Sequence, residues 1–281
     1  MFGKINPSLD DVQSEFYDKL ENLHNFLKKY DKAVIAFSGG VDSAFLLYTT
    51  ITVIGKHNVI ALTAFSDAYP LDELEFAKKI ALKFNVKHVV IETDEMNDSD
   101  FTNNTPDRCY FCKKDFFSKI IDYAKENNIS SIFDGTNKDD EKDYRPGRKA
   151  LVELGIISPL LETGFTKADI RELSRQAGLE TWNKAANPCL ASRIPYGNNI
   201  TIEKLKTVEK AEKFLRDNGL ITSRVRHHDK IARIEVAESD INRITTGELR
   251  KKIIQYFKSL GFTWITVDIE GYRTGSLNEE L

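Results

Sequence analysis

The sequence predicts an α/β fold: a parallel sheet with helices on both faces, followed by a smaller C-terminal α+β domain. Three observations carry this. Short apolar runs at 33–37, 58–65, 87–94 and 130–135 are bounded by polar or glycine-rich stretches, as buried strands are. Segments of helical length separate these runs, and strands alternating with helices imply right-handed crossovers and a parallel sheet. Near residue 199 the order changes to helix, hairpin, helix and strand, which divides the chain into 1–199 and 200–281.

Residues 8–30 make an amphipathic helix: Ser8 can cap it, and Leu9, Val12, Phe16, Leu20, Leu23 and Leu27 recur at helical spacing. Lys32 leads into the strand AVIAF (33–37), 42–55 reads as helix, and NVIALTAF (58–65) is a second strand. Pro70 suits the first turn of a helix running to Phe84, because its missing N–H is not needed there. KHVVIETD (87–94) is a third strand, 113–127 a helix, and SSIFDG (130–135) a fourth strand. A charged loop, NKDDEKDYRPGRKA, and the run GIISPLL (155–161) follow. Thr166 and Asp169 then open a helix to Ala177 as a capping-box-like pair. Residues 181–200 hold a proline-containing loop. A charged helix (201–218) precedes SRVRHHDKIARIEV, which alternates like a hairpin turning at Asp229-Lys230. A helix over 239–259 and the strand FTWITVDI (262–269) complete the chain.

Composition excludes several classes. The 281 residues are 41% hydrophobic and 30% charged, with a formal net charge of −3, so nothing draws the whole chain toward nucleic acid. No apolar run approaches the ~18 residues that a membrane helix needs. The N-terminal MFGKINPSLDD has no apolar signal core, so a cytosolic protein is expected. Three cysteines, an odd number, argue against a disulfide framework in a reducing compartment.

The strongest local signal is Ser38-Gly39-Gly40-Val41-Asp42-Ser43, directly after a strand and before a helix. Glycines 39 and 40 let the backbone approach an anion closely. The helix start points unpaired N–H groups and the positive end of its dipole at the same place. Ser38 and Ser43 add hydroxyls. Asp42 beside a phosphate makes sense when a divalent cation neutralises both, which points to Mg²⁺. The loop lacks both the Gly-Lys-Ser/Thr ending of a Walker A loop and the GxGxxG of a dinucleotide fold.

The cysteines form a second constellation. Cys109 and Cys112 make a CxxC in PDRCYFCKK, and Cys189 lies in NPCLASR. A helix start at 113 and lysines 113 and 114 should favour thiolates. A redox pair leaves Cys189 unexplained, and zinc would want a fourth Cys or His ligand. An iron–sulfur cluster held by three thiolates keeps one iron open. Three unrelated thiols are the plain alternative.

SGGVDS resembles the signature of the PP-loop ATP pyrophosphatases, which split ATP between the α and β phosphates and form an adenylate. The resemblance implies a nucleotide pocket lined by the strand ends Ala36-Phe37 and Thr63-Ala64, together with Asp134-Gly135. NPCLASRIPYG, with DGTNKDDEKDYRPG (134–147), RVRHHDKIARIE (224–235) and EGYRTGSLN (270–278), is similar to the LarE family over nearly the whole chain. LarE-type enzymes adenylate the carboxylates of a pyridinium mononucleotide and convert them to thiocarboxylates, on the route to the nickel-pincer nucleotide cofactor. Carried over, Ser192, Arg193, Arg224, Arg226 and Arg273 would bind the substrate's phosphate and carboxylates, as guanidinium forks suit.

One departure matters. The position of the sacrificial cysteine, which in part of the family gives up its own sulfur, falls at Pro188 here. The chain resembles instead the three-cysteine branch, which implies that Cys109, Cys112 and Cys189 hold a 4Fe-4S cluster. The expected activity is then an ATP- and Mg²⁺-dependent sulfurtransferase, with sulfide carried on the cluster as nucleophile and a sulfur donor as partner. The family's tendency to oligomerise implies a homo-oligomer. A cluster-dependent tRNA thiolation enzyme is the alternative, opposed by the acidic balance and by the lack of an added RNA-binding or zinc-knuckle module. An ATP- or metal-sensing protein would not explain the arginines of the second domain, and no glutaminase segment supports an amidotransferase.

Overall fold

The computed structural model describes residues 9–141, 146–273 and 275–280. Ser8, the expected cap of the first helix, lies outside the described residues, as do 142–145 and Thr274 within the motifs quoted above. In chain order the elements are α1 (Leu9–Leu27), β1 (Ala33–Ala36), α2 (Val41–Ile54), β2 (Val59–Phe65), α3 (Leu71–Lys83) and β3 (Lys87–Glu92). Then come α4 (Ser99–Thr102), α5 (Arg108–Glu126), β4 (Ile132–Phe133), α6 (Gly147–Glu153), α7 (Pro159–Glu162) and α8 (Lys167–Gln176). The last third holds α9 (Ile202–Asp217), β5 (Ser223–His228), β6 (Ile231–Val236), α10 (Ile241–Thr245), α11 (Gly247–Ser259) and β7 (Trp264–Val267).

The chain packs as two compact units. One comprises the chain up to Phe65, Leu71–Thr93 and Lys113–Ala186; the other comprises Ser66–Pro70, Asp94–Cys112 and the chain from Asn187 onward. This is not a single cut near residue 199. Ala68, Phe101, Leu190, Ala191 and Ile194 share one apolar cluster with Leu205 and Val208 of α9, so three loops of the first two-thirds join the C-terminal part.

In the first unit the sheet is parallel throughout, in the order β3-β2-β1-β4. Alternation decides which face each residue serves. Ala33, Ile35, Val59 and Ala61 pack with α1, α2, α3 and α8; Val34, Ile60 and Leu62 pack with α5 and α6. Helices thus cover both faces, as the near-continuous apolar runs require. Each large aliphatic side chain fully buried this way contributes about 1.5–3 kcal/mol. The capping box expected at Thr166 and Asp169 is present in full at the start of α8.

The second unit holds a three-stranded mixed sheet, β5-β6-β7. β5 and β6 form the expected antiparallel hairpin, turning where Asp229 takes φ +52°, and β7 runs parallel to β6. Three local readings change. The helix expected at 113 starts at Arg108, whose guanidinium is anchored by the Asn104 side chain at 2.6 Å and stacks over Tyr196. The single helix expected over 239–259 is broken at Thr246, whose backbone is extended. The fourth strand is only Ile132–Phe133, and Ile157 of the GIISPLL run pairs in parallel with Phe133 beside it. Among the described residues no helix is long and apolar enough to cross a membrane.

Candidate active site

The glycine-rich loop joins β1 to α2 in the first unit. Phe37 is held to the sheet by its N–H on the Leu62 carbonyl at 2.8 Å. Its own carbonyl accepts from the Thr63 hydroxyl at 2.5 Å. Since that hydroxyl proton is committed, Thr63 accepts from His88 Nε2 at 2.8 Å. Burial, and then the charge of Lys78, lowers the pKa of His88 below the usual imidazole value and so favours the neutral ring. Ala36 and Ala64, both half-buried, stand near the strand ends that support the loop.

The loop is built for an anion. Gly39 takes φ +70° and lies so close to α3 that a Cβ would sit 3.1 Å from Ala77. The Ser38 and Ser43 hydroxyls are 3.2 Å apart, and the Gly40 N–H points at Ser38 Oγ at 3.3 Å. Gly40 is the N-cap of α2 and no side chain caps that helix, so its first N–H groups are available to a ligand. Gly135, after β4, lets its strand end come against the loop, since a Cβ there would be 3.0 Å from Ser43 N. Gly135→Ala should therefore push β4 off the loop and weaken ATP binding at least about tenfold with a small change in melting temperature. Unaltered ATP affinity by calorimetry would refute this. The neighbouring Asp134 is buried, its carboxylate accepting from Thr136 and, at 2.5 Å, from Ser158.

Two lysines that sequence reasoning passed over also reach this loop. Lys167 forms an ion pair with Asp42, whose other oxygen faces Asn137 Nδ2 at 3.4 Å. Lys184 donates to the Gly39 carbonyl at 3.2 Å, pairs with Glu73 at 2.7 Å and lies 3.8 Å from the centroid of the Phe76 ring. One signal was available in the sequence. Lys167 follows the capping Thr166 in the first turn of α8, where the helix dipole disfavours a cation. Among the described residues no group of three or more His, Cys, Asp or Glu side chains is arranged to hold a metal. A Mg²⁺ ion would rest on Asp42 and on phosphate oxygens, which is how Mg²⁺ commonly binds in phosphate sites. The Asp42 carboxylate, within the loop itself, fits that mode.

All three cysteines fall in the second unit, and none forms a disulfide. Cys109 and Cys112 lie in the first two turns of α5, three residues apart and so on one face. Cys112 and Cys189 pack against the same apolar cluster, and Cys112 Sγ is 3.4 Å from the hydroxyl of the half-buried Tyr69. Glu95 lies in the same surroundings, 2% exposed, one oxygen bonded to Ser66 at 2.5 Å and the other without a hydrogen-bond partner. The expectation of easy thiolates fails for Cys112. Burial pushes its thiol well above the usual range, and the charges of Glu95 and Cys189 push the same way. Tyr69 is likewise raised, by burial first and then by both thiols. The donors fit an iron–sulfur cluster in kind: three thiols beside an orphaned carboxylate oxygen. They are not gathered into a ligand cage in this structure.

The five residues expected to bind substrate separate into two groups. Arg193 is fully buried, with Nε and Nη2 on the two oxygens of Glu212 at 2.9 and 3.0 Å. Arg226 makes the same fork with Glu235 at 2.8 and 2.7 Å, and donates to Ser192 O and Ser276 Oγ. Removing one partner of a pair buried this deeply costs about 3–5 kcal/mol, so both arginines carry structure. Burial alone would raise Glu212, but the charge and hydrogen bonds of Arg193 outweigh it and hold the carboxyl below its ordinary value. That contribution is fully present above the ordinary glutamate range and is lost as pH falls through the lower folded value. Arg224 lies beside the Tyr272 ring and is lowered from the usual guanidinium range by burial and then by the charge of Arg193. Arg273, half-buried, pairs with Glu270 and Glu279. Ser192 is half-buried, its hydroxyl donating to Cys189 O at 2.9 Å.

Residues 17–142 match the NAD synthase family. The NH(3)-dependent NAD(+) synthetase of Fusobacterium nucleatum is 27% identical over 54% of this chain and 56% of its own length. Other relatives extend through both units, among them the following two. The uncharacterized protein slr1717 of Synechocystis sp. is 40% identical over 94% of this chain and 98% of its own length. The pyridinium-3,5-bisthiocarboxylic acid mononucleotide synthase of Lactiplantibacillus plantarum is 39% identical over 91% of this chain and 92% of its own. With that likeness, the phosphate loop on a parallel sheet and the arginine-bearing second unit, the chain belongs to the LarE family of PP-loop, ATP-dependent sulfurtransferases.

Proposed function

We propose that this chain uses ATP to adenylate the carboxylates of a pyridinium-dicarboxylate mononucleotide and converts them to thiocarboxylates in nickel-pincer nucleotide biosynthesis. The observation that carries this is the likeness to the Lactiplantibacillus plantarum synthase, 39% over 91% of the chain. A substrate carboxylate oxygen attacks the α-phosphorus of ATP, and the bond to the β-phosphate oxygen breaks. Pyrophosphate would be held by the uncapped start of α2 and by the Ser38 and Ser43 hydroxyls, with Lys167 and Lys184 supplying positive charge, and Asp42 would hold a Mg²⁺ ion that neutralises the phosphates. A 4Fe-4S cluster on Cys109, Cys112 and Cys189 would supply sulfide as the second nucleophile. The acyl carbon gains sulfur, AMP leaves with its oxygen, and the hydrosulfide proton goes to solvent.

Ser192, Arg224 and Arg273 are the candidates for the substrate's anionic groups, because the forks of Arg193 and Arg226 are already filled by Glu212 and Glu235. The assay is direct: supply ATP, Mg²⁺, sulfide and the dicarboxylated mononucleotide to anaerobically reconstituted protein, and measure pyrophosphate, AMP and thiocarboxylate. A parallel reaction receives tRNA instead of the mononucleotide, and thiolated tRNA there with no thiocarboxylate from the mononucleotide would overturn the reading. Arg224→Ala should weaken mononucleotide binding by about 2–5 kcal/mol and ATP binding far less. Equal losses of both ligands would assign Arg224 a structural role instead.

A further inference from the structure

We propose that Arg193 is a positioning residue that fixes the Cys189 turn onto the buried carboxylate of Glu212, and that it does not itself meet the substrate. The inference rests on the reading of Cys189 as a sulfur-handling cysteine. Three consecutive residues of the turn are held by one guanidinium. Nη1 donates to the carbonyls of Pro188 at 2.7 Å and Cys189 at 3.1 Å, and Nη2 donates to Asn187 Oδ1 at 2.9 Å. Nη1 also lies 2.9 Å from Ser192 Oγ. The remaining side of the guanidinium is the fork on Glu212. A guanidinium has five N–H groups, and every nitrogen of this one is engaged inside the unit, so no donor is left for a ligand.

Glu212 is itself anchored. It lies on α9, is 1% exposed, and its Oε1 accepts from Val225 N at 3.0 Å, between Arg224 and Arg226 on β5. Arg226 Nη1 returns the tie by donating to the Ser192 carbonyl at 2.8 Å. The turn that carries Cys189 is therefore locked to α9 and β5 through groups that cannot slide. A fixed Cys189 carbonyl at the cap of a short 3₁₀ turn (Leu190–Arg193) restricts the direction its sulfur can take. Lysine cannot replace this fork, because its three donors radiate from one nitrogen and cannot span Glu212 and the Asn187–Cys189 acceptors as five coplanar N–H groups do.

The test uses Arg193→Lys and the paired apolar replacement of Arg193→Met with Glu212→Leu, which removes both charges together and so avoids a lone buried ion. Three quantities are read on each: the alkylation rate of Cys189 by iodoacetamide in cluster-free protein, resolved by peptide mass spectrometry; binding of the dicarboxylated mononucleotide by calorimetry; and thiocarboxylate formation. Positioning predicts Cys189 alkylation changed about tenfold or more, sulfur transfer down about tenfold or more, and mononucleotide affinity within about threefold of wild type. Cys109 serves as the internal reference and should react at its wild-type rate. Unchanged Cys189 alkylation in a folded variant overturns the proposal, as does a tenfold loss of mononucleotide affinity, which would make Arg193 a ligand. If the paired variant fails to fold, Arg193→Lys decides by the same three readings. Should the wild-type protein transfer no sulfur, the reading of Cys189 falls while the alkylation comparison still tests the clamp.

Discussion

Asp42→Asn is expected to abolish ATP–pyrophosphate exchange, by about a hundredfold or more, and to leave the fold in place. The carboxylate stands next to a loop whose every other feature is suited to an anion: an uncapped helix start, two glycines and two hydroxyls. In this structure Lys167 neutralises it, with side chains 36% and 22% exposed. A pair that open to water contributes under about 1 kcal/mol, so losing it cannot unfold the unit. What asparagine does lose is the charge that a Mg²⁺ ion would need when its other ligands are phosphate oxygens and water. The measurement is isotope exchange between ATP and pyrophosphate over a range of Mg²⁺, with a thermal melt alongside. Wild-type exchange in the variant would show that Lys167 is the true partner of Asp42 and that no metal depends on it. Recovery at high Mg²⁺ would instead indicate weakened metal affinity, which supports the assignment.

Single replacement of Cys109, Cys112 or Cys189 by alanine is expected to stop thiocarboxylate formation entirely while sparing pyrophosphate release. The expectation follows from position. The three thiols are the only cysteines in the chain and fall within one unit, while the phosphate loop belongs to the other. Each variant should also bleach the iron–sulfur absorption of reconstituted protein. A sacrificial route predicts something different: the polypeptide would lose the mass of hydrogen sulfide in one turnover, and Cys109 would be dispensable. The family resemblance puts Pro188 at the sacrificial position, and on that expectation the intact mass should be unchanged after many turnovers. A lighter chain after turnover, or a fully active Cys109→Ala, would end the cluster reading. The raised thiol of Cys112 adds a practical condition. Metal binding must displace the proton of a thiol whose pKa is held above the usual range, so assembly should be favoured as pH rises.

Much of the first unit was legible because its signals are local. Four apolar runs, separated by helical lengths, gave the parallel sheet, and the capping box at Thr166 gave the start of α8. Boundaries were less so. The start of α5 depends on Arg108 finding Asn104 and Tyr196, and the latter is distant in sequence. The break at Thr246 carries no proline to announce it.

By itself the sequence determined the loop after the first strand, the CxxC and the third cysteine, and the hairpin that carries the arginines. These are short motifs whose chemistry depends on residue type and on neighbours within a few positions. Only the tertiary structure decided what each charge is for. Arg193 and Arg226 were equal candidates for substrate contact until α9 and β6 placed Glu212 and Glu235 against them. Lys167 and Lys184 were ordinary lysines until packing brought them to Asp42 and to the Gly39 carbonyl. The reason is electrostatic. A charge acts mainly on what lies within a few ångströms in a water-poor setting, and chain distance says little about which groups those are.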